Sequence, residues 1–160
     1  MSKISIGKLV PDIEVQATDE QKFKLSDLRG KFIVLYFYPK DNTPGCTTEG
    51  QDFRDNYQKF RAHKAEIFGV SRDSLKSHEG FKGKQCFPFE LISDEDEQLC
   101  KLFDVIKEKT LYGKNYLGID RSTFIIDRKG VLRQEYRGVK VDGHIATVLA
   151  EVKKLAKEKN

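Results

Sequence analysis

The stretch FIVLYFYPKDNTPGC, residues 32–46, decides the fold. Its first part, residues 32–38, is apolar at odd and even positions alike. A strand with one wet face alternates, so an unbroken apolar run predicts a central strand covered by helices on both sides. Pro39 ends the strand, because proline cannot donate to the sheet ladder and restricts the residue before it. The polar, turn-forming residues 40–45 then lead into a segment where Phe53, Tyr57 and Phe60 recur at the i, i+4, i+7 spacing of an amphipathic helix. Cys46 therefore falls in or near the first turn of a helix that follows a buried strand.

The pattern extends in both directions. On the N-terminal side Ile13, Val15 and Ala17 alternate, TDEQK turns the chain, and Phe23 and Leu25 alternate again, as in an antiparallel ribbon. On the C-terminal side residues 66–71 (EIFGVS) predict a second buried strand, followed by a helix through Leu75, His78 and Phe81 toward Gly83. Residues 87–92 (FPFELI) predict a short strand near a sheet edge, given Pro88 at its start. Ser93 or Asp94 is expected to cap a helix over DEDEQLCKLF with Leu99, Leu102 and Phe103 on its apolar face. Residues 105–118 are the least periodic and hold Gly113 and Gly118, which predicts a long loop. A strand over 122–126, a turn over 127–130 and a partner strand over 131–136 form a hairpin. The last helix starts near Asp142 and buries Ile145, Val148, Leu149, Val152 and Leu155. This order predicts an α/β fold with a mixed sheet between helices. The hairpin and the lack of a glycine fingerprint after the first strong strand exclude an all-parallel dinucleotide-binding fold.

A chain of 160 residues suits one domain, 1–160. Lys+Arg number 29 against 25 Asp+Glu, a net charge of +4 with both signs interspersed, which argues against a nucleic-acid partner. No apolar run is long enough for a signal peptide or a membrane span, so a cytoplasmic chain without membrane contact is expected. The odd cysteine number fits a reducing compartment. Cys46, Cys86 and Cys100 form no close pair, and only His63, His78 and His144 are available to complete a zinc site, so no metal is expected. His78 and His144 lie in or near polar helical segments and read as surface residues.

A lone cysteine is most often a buried structural residue. Cys46 differs in its setting: a strand-to-helix junction is where ligand sites of α/β sheets lie, and the unpaired N–H groups of a helix N-terminus favour an anion such as a thiolate. The same groups can receive a peroxide oxygen, and Thr43, three residues earlier, can orient it with its hydroxyl. A cation is needed for the departing oxygen. Arg121, at the start of RSTFIID, supplies one if that strand neighbours FIVLYFY. Tyr36, Phe37, Tyr38 and Phe53 read either as core or as an apolar collar around the thiol.

The string PKDNTPGC, residues 39–46, resembles the peroxiredoxin signature, and YFYPKDNTPGCTTE, SRDSLKSHEGF, LISDEDEQLCKLFDV and GKNYLGIDRSTFIID together resemble its bacterioferritin-comigratory, or PrxQ-like, branch over nearly the whole chain. The resemblance implies a thioredoxin-like fold with an added N-terminal ribbon and reduction of hydrogen peroxide and organic hydroperoxides. It implies electrons from thioredoxin or a similar dithiol protein, no cofactor, and a monomer or weak dimer. It places the peroxidatic thiolate on Cys46, a hydrogen-bonding threonine on Thr43, a shielding proline on Pro39, the arginine on Arg121 and a supporting acid on Glu49. Many members of the branch carry the resolving cysteine five residues after the peroxidatic one, where this chain has Gln51. Others carry it in the next helix, and Cys86 falls near the end of the corresponding segment, about four residues beyond that position, so the resemblance makes Cys86 the first candidate for resolver and Cys100 the second, with an external thiol as a further route. A thiol–disulfide oxidoreductase would need a second cysteine close after Cys46, and CTTE has none. A chaperone or interaction module would not need Thr43, Cys46 and Arg121 in one place, and an oxidant sensor would oxidise without turning over.

Overall fold

The computed structural model describes residues 4–158; the ends of the expected 1–160 domain, residues 1–3 and 159–160, lie outside them. The strand β3, Phe32–Phe37, is buried at every position. Phe32, Val34 and Tyr36 join an apolar cluster with residues of α1, Pro44–Arg61, and α4, His144–Ala156. Ile33, Leu35 and Phe37 join another with Leu99, Phe103 and Phe124. Successive side chains of a strand point to opposite faces, so one strand anchors both layers of the core.

A seven-stranded mixed sheet forms around it in the order β2-β1-β5-β4-β3-β8-β9. Here β1 is Glu14–Ala17, β2 Gln21–Lys24, β4 Ala65–Ser71, β5 Glu90–Ser93, β8 Ser122–Ile126 and β9 Leu132–Arg137. β3 pairs in parallel with β4 and antiparallel with β8. The helix α2, Leu75–Gln85, crosses from β4 to β5, whose pairing is parallel as a helical crossover requires. The apolar faces foreseen for α1 and α4 are buried as foreseen: Phe53, Tyr57 and Phe60 on one, Ile145, Val148, Leu149, Val152 and Leu155 on the other.

Three expectations fail for identifiable reasons. β5 lies inside the sheet rather than at its edge, because the β1–β2 ribbon pairs along its outer side through Gln16–Ser93 and Ala17–Ile92. The helix α3 covers only Gln98–Leu102. Asp94 does cap it, but from a preceding turn, its carboxylate accepting hydrogen bonds from the Leu99 and Cys100 amides at 3.0 and 2.8 Å. The expected long loop is a hairpin of β6, Ile106–Leu111, and β7, Lys114–Ile119, which pair with each other. Its tip, Tyr112 and Gly113, has φ of 51° and 75°, the left-handed pair that a tight hairpin turn uses. Most of its side chains are exposed, so no buried face imposed an alternating pattern on the sequence.

Candidate active site

The site begins where β3 ends. Asn42, at φ 63°, turns the chain, Thr43 is the N-cap of α1, and Pro44 occupies the first helical position, where its missing N–H costs nothing. The Thr43 hydroxyl donates to the Lys40 carbonyl at 2.8 Å instead of capping the helix. The amides of Gly45 and Cys46 belong to the first turn and have no intrahelical acceptor, so they remain available to an anion. The Cys46 side chain itself is 1% exposed.

The register of β8 supplies the cation. Ser122 lies opposite Phe37, which puts Arg121 beside the end of β3. Its Nη2 donates to Cys46 Sγ at 3.4 Å and its Nη1 to Glu49 Oε1 at 2.6 Å. Gly45 permits this approach: a Cβ there would sit 3.1 Å from Nη2. Burial opposes the Arg121 cation, but the negative groups Glu49 and Cys46 outweigh it, and its pKa is raised. Burial pushes the Glu49 carboxyl up to about 7 even with Arg121 against it. Glu49 Oε2 and the Tyr36 hydroxyl are buried without a hydrogen-bond partner, two polar atoms in the wall of the site. Tyr36, Tyr38 and Phe53 stack in the core beneath it, with ring centroids 5.5 and 4.5 Å from Tyr36. Phe37 belongs to the opposite face, so the four aromatics do not form a collar.

Both histidines read as surface residues are buried, His78 completely and His144 to 7% exposure. His78 packs from α2 against the loop that holds the site. Its Nδ1 lies 2.8 Å from Asp41 Oδ2 and its Nε2 2.9 Å from the Ile92 carbonyl. Asp41 also accepts from the Tyr38 hydroxyl at 2.7 Å and from Ser77 Oγ at 2.7 Å. Burial would raise Asp41, but the hydrogen bonds and charge of His78, with Tyr38 and Ser77, more than offset it and hold the carboxyl below its usual range. His144 instead faces Thr123 Oγ1 at 2.8 Å, and burial followed by the Arg121 charge pushes it down to about 4, so it stays neutral at physiological pH. Asp41, Asp73 and His78 are the grouping among the described residues that could offer three ligands to a metal. The Asp73 carboxylate accepts the Asp41 amide at 3.0 Å, and the His78 nitrogens are spent on Asp41 and Ile92, so these donors already satisfy the protein's own groups.

Comparisons with known proteins identify the family of the chain. The model of the AhpC/TSA family matches residues 6–135. Peroxiredoxin Bcp of Bacillus subtilis is 49% identical over 155 residues, 97% of this chain and 99% of its own. This chain belongs to the AhpC/TSA family, in the Bcp/PrxQ branch of the peroxiredoxins. Two solved relatives are the Xanthomonas campestris bacterioferritin comigratory protein, at 47% identity and TM-score 0.89, and a mutant of Xylella fastidiosa PrxQ, at 44% and 0.92. Each match covers 98% of this chain and 100% of the relative. The peroxiredoxin has the thioredoxin-like fold of these structures, and it is an enzyme, a thiol-based peroxidase acting through a peroxidatic cysteine.

The structure brings Cys46, Arg121 and Glu49 into contact and leaves Thr43 at the helix cap beside them. Pro39 is half-buried where the chain leaves β3. The other cysteines of this peroxiredoxin lie elsewhere. Cys86 is exposed and terminates α2 in a left-handed conformation, φ 56°. Cys100 is fully buried in the cluster on the other side of the sheet from Cys46. Burial and then the neighbouring Asp94 charge push its thiol far up. Asp41 and His78 are the residues the sequence reading missed. One signal was present: His78 is three residues from both Leu75 and Phe81, at helical spacing with apolar residues.

Proposed function

We propose that Cys46 is the peroxidatic cysteine and that Arg121, Thr43, Pro39 and Glu49 form its site. The observation that carries this is the guanidinium 3.4 Å from Sγ at the N-terminus of α1. A permanent cation lies at the sulfur and the first turn that carries it has two amides without an intrahelical acceptor, an arrangement that favours a thiolate and a developing oxyanion together. The thiolate sulfur attacks one peroxide oxygen, the O–O bond breaks, Cys46 becomes a sulfenic acid, and the departing alkoxide or hydroxide takes a proton. Thr43, its hydroxyl already donating a hydrogen bond to the Lys40 carbonyl, offers oxygen lone pairs to the O–H of the bound peroxide. Pro39 shields the loop side, and Glu49 aims Arg121. Alkyl hydroperoxides belong among the substrates, since the Xanthomonas relative is described as having alkyl peroxide reduction activity.

Cys86 is the resolving residue in this reading. It is exposed, whereas Cys100 is buried behind the sheet. Its thiol condenses with the sulfenic acid, releasing water and forming a disulfide that thioredoxin or a similar dithiol reopens. For this step the two thiols must meet, by opening of the end of α2, of the first turn around the buried Cys46, or of both. The bonds that hold Cys86 at the end of α2 are the Cys86 and Phe87 amides to the Gly83 and Lys82 carbonyls at 3.3 and 3.1 Å, Gln51 Nε2 to Gln85 Oε1 at 2.9 Å and Arg54 Nη1 to the Gln85 carbonyl at 2.9 Å. Gln51, standing where many relatives carry the resolver, thus ties down the helix end that carries it here. The whole chain acts as one domain, a cytoplasmic monomer or weak dimer. Among the described residues no helix is long and apolar enough to cross a membrane.

The test is peroxide consumption coupled to thioredoxin, thioredoxin reductase and NADPH, for wild type and for Cys46→Ser, Cys86→Ser and Cys100→Ser. Cys46→Ser is expected to lose turnover entirely and Cys100→Ser to keep it. Oxidised wild type should contain a Cys46–Cys86 disulfide by mass spectrometry. Full turnover in Cys46→Ser would sink the assignment, and turnover in Cys86→Ser with loss in Cys100→Ser would move the resolver to Cys100.

A further inference from the structure

We propose that His78 is a positioning residue for peroxide attack: through Asp41 it holds the loop that places Thr43 and Cys46. The inference rests on Cys46 as the peroxidatic residue. The carbonyl of Ile92 can only accept, so the His78 Nε2 facing it at 2.9 Å carries a proton. The other ring nitrogen faces both carboxylate oxygens of Asp41, at 2.8 and 3.1 Å. A lone pair pointed at a carboxylate in a buried site would be repulsive, so a second proton lies between Nδ1 and Asp41. The ring is thereby fixed at both ends, and its orientation fixes Asp41.

Asp41 is otherwise a loop residue, two positions before the helix cap. Four residues from three parts of the fold converge on it: Tyr38 at the end of β3, Ser77 and His78 on α2, and Asp73 in the loop after β4, whose carboxylate accepts the Asp41 amide. The next residue, Asn42, turns in the left-handed region, and Thr43 and Cys46 follow directly. A loop that must present a hydroxyl and a sulfur to a small peroxide is thus clamped at one side chain, 4% exposed, while its neighbour Asn42 is exposed. The clamp touches neither Cys46 nor Arg121 by any hydrogen bond among the described residues, so its effect on the reaction is one of placement.

Two substitutions separate placement from mere filling of space. In His78→Asn the amide nitrogen takes the position of Nδ1 and still donates to Asp41. In His78→Gln it takes the position of Nε2 and reaches Ile92 instead. Asparagine leaves the larger void, so a purely structural role makes it no better than glutamine. The readout is the second-order rate constant for oxidation of reduced, full-length protein by hydrogen peroxide, in competition with horseradish peroxidase, with the thermal midpoint measured in parallel. His78→Gln is expected to react roughly 10- to 100-fold slower, and His78→Asn within about threefold of wild type, the scale of a displacement near 1 Å and its rescue. Equal rates for all three proteins, or a common loss in the two variants that tracks thermal stability, would overturn the proposal. If His78→Gln does not fold, Tyr38→Phe, which removes one donor to Asp41 at constant shape, takes its place; a slower oxidation supports the clamp and a wild-type rate overturns it. Cys46→Ser is carried throughout. Peroxide consumption by that variant would defeat the assignment of Cys46, whereas an unreactive Cys46→Ser beside an unaffected His78→Gln defeats the clamp alone.

Discussion

Cys46 and Cys86 stand in opposite mechanical settings. Cys46 is buried, in the first turn of an 18-residue helix, against an arginine that is itself bonded to a buried carboxylate. Cys86 is exposed, past the last turn of α2, in a backbone conformation that a side chain makes costly. In the proposed cycle the chemistry divides between these settings. Attack on a peroxide needs atoms held in place before the reaction, and rigidity serves it. Disulfide formation needs two Cα atoms within about 7 Å, and a helix end that detaches cheaply serves that. The difference teaches that the proposed cycle asks opposite things of its two cysteines, tight packing of the first and release of the second.

The strongest way to break the contrast is to loosen the rigid side. Arg121→Gln removes the cation from Cys46 and leaves Glu49 buried without a partner. Oxidation of Cys46 is expected to slow by about 100- to 1,000-fold, and stability to fall by about 3–5 kcal/mol, measured by peroxide competition and urea unfolding. A rate within a few-fold of wild type would show that the helix amides alone suffice.

A smaller change sharpens the other side. The Phe87 ring, next to Cys86, fills the space over Gly50 of α1, where a Cβ would come within 2.4 Å of Cζ. Gly50→Ala should therefore displace Phe87 at a cost of about 1–3 kcal/mol and speed closure of the Cys46–Cys86 disulfide, with the oxidation step unaltered. Stopped-flow quench with mass spectrometry separates the two steps. Slower closure would mean that Phe87 guides Cys86 inward rather than holding it back. The smallest expected effect concerns strain at residue 86. Cys86→Gly relieves the positive φ and should be more stable than Cys86→Ser by about 1 kcal/mol in urea; equal stability would remove strain from the account.

Much of the rigid side was legible. The apolar run of β3, the proline that ends it and the helical spacing after Cys46 are local signals, and each is carried by residues within one element. Arg121 was legible only conditionally, since its approach depends on β8 lying beside β3. His78 was misread because α2 mixes its buried residues with Lys76, Ser77 and Glu79, which hid the inward face. Its value lies in a contact with residue 41 that no local period encodes. The β6–β7 hairpin was missed for a different reason: hydrophobic periodicity reports burial, and this element buries little. The position of β5 depended on a ribbon that arrives from more than 70 residues earlier in the chain.

That hairpin bears on how the chain can change length. Its strands pair with each other and with no other strand among the described residues, and Tyr112 at its tip is 95% exposed. Residues added between 112 and 113 would extend a ribbon already standing in water, without shifting the register of any ladder in the seven-stranded sheet. A tag or a binding loop grafted there leaves the β3 and β8 ladders intact. The molecule thus has one socket for new sequence that its catalytic frame does not have to accommodate.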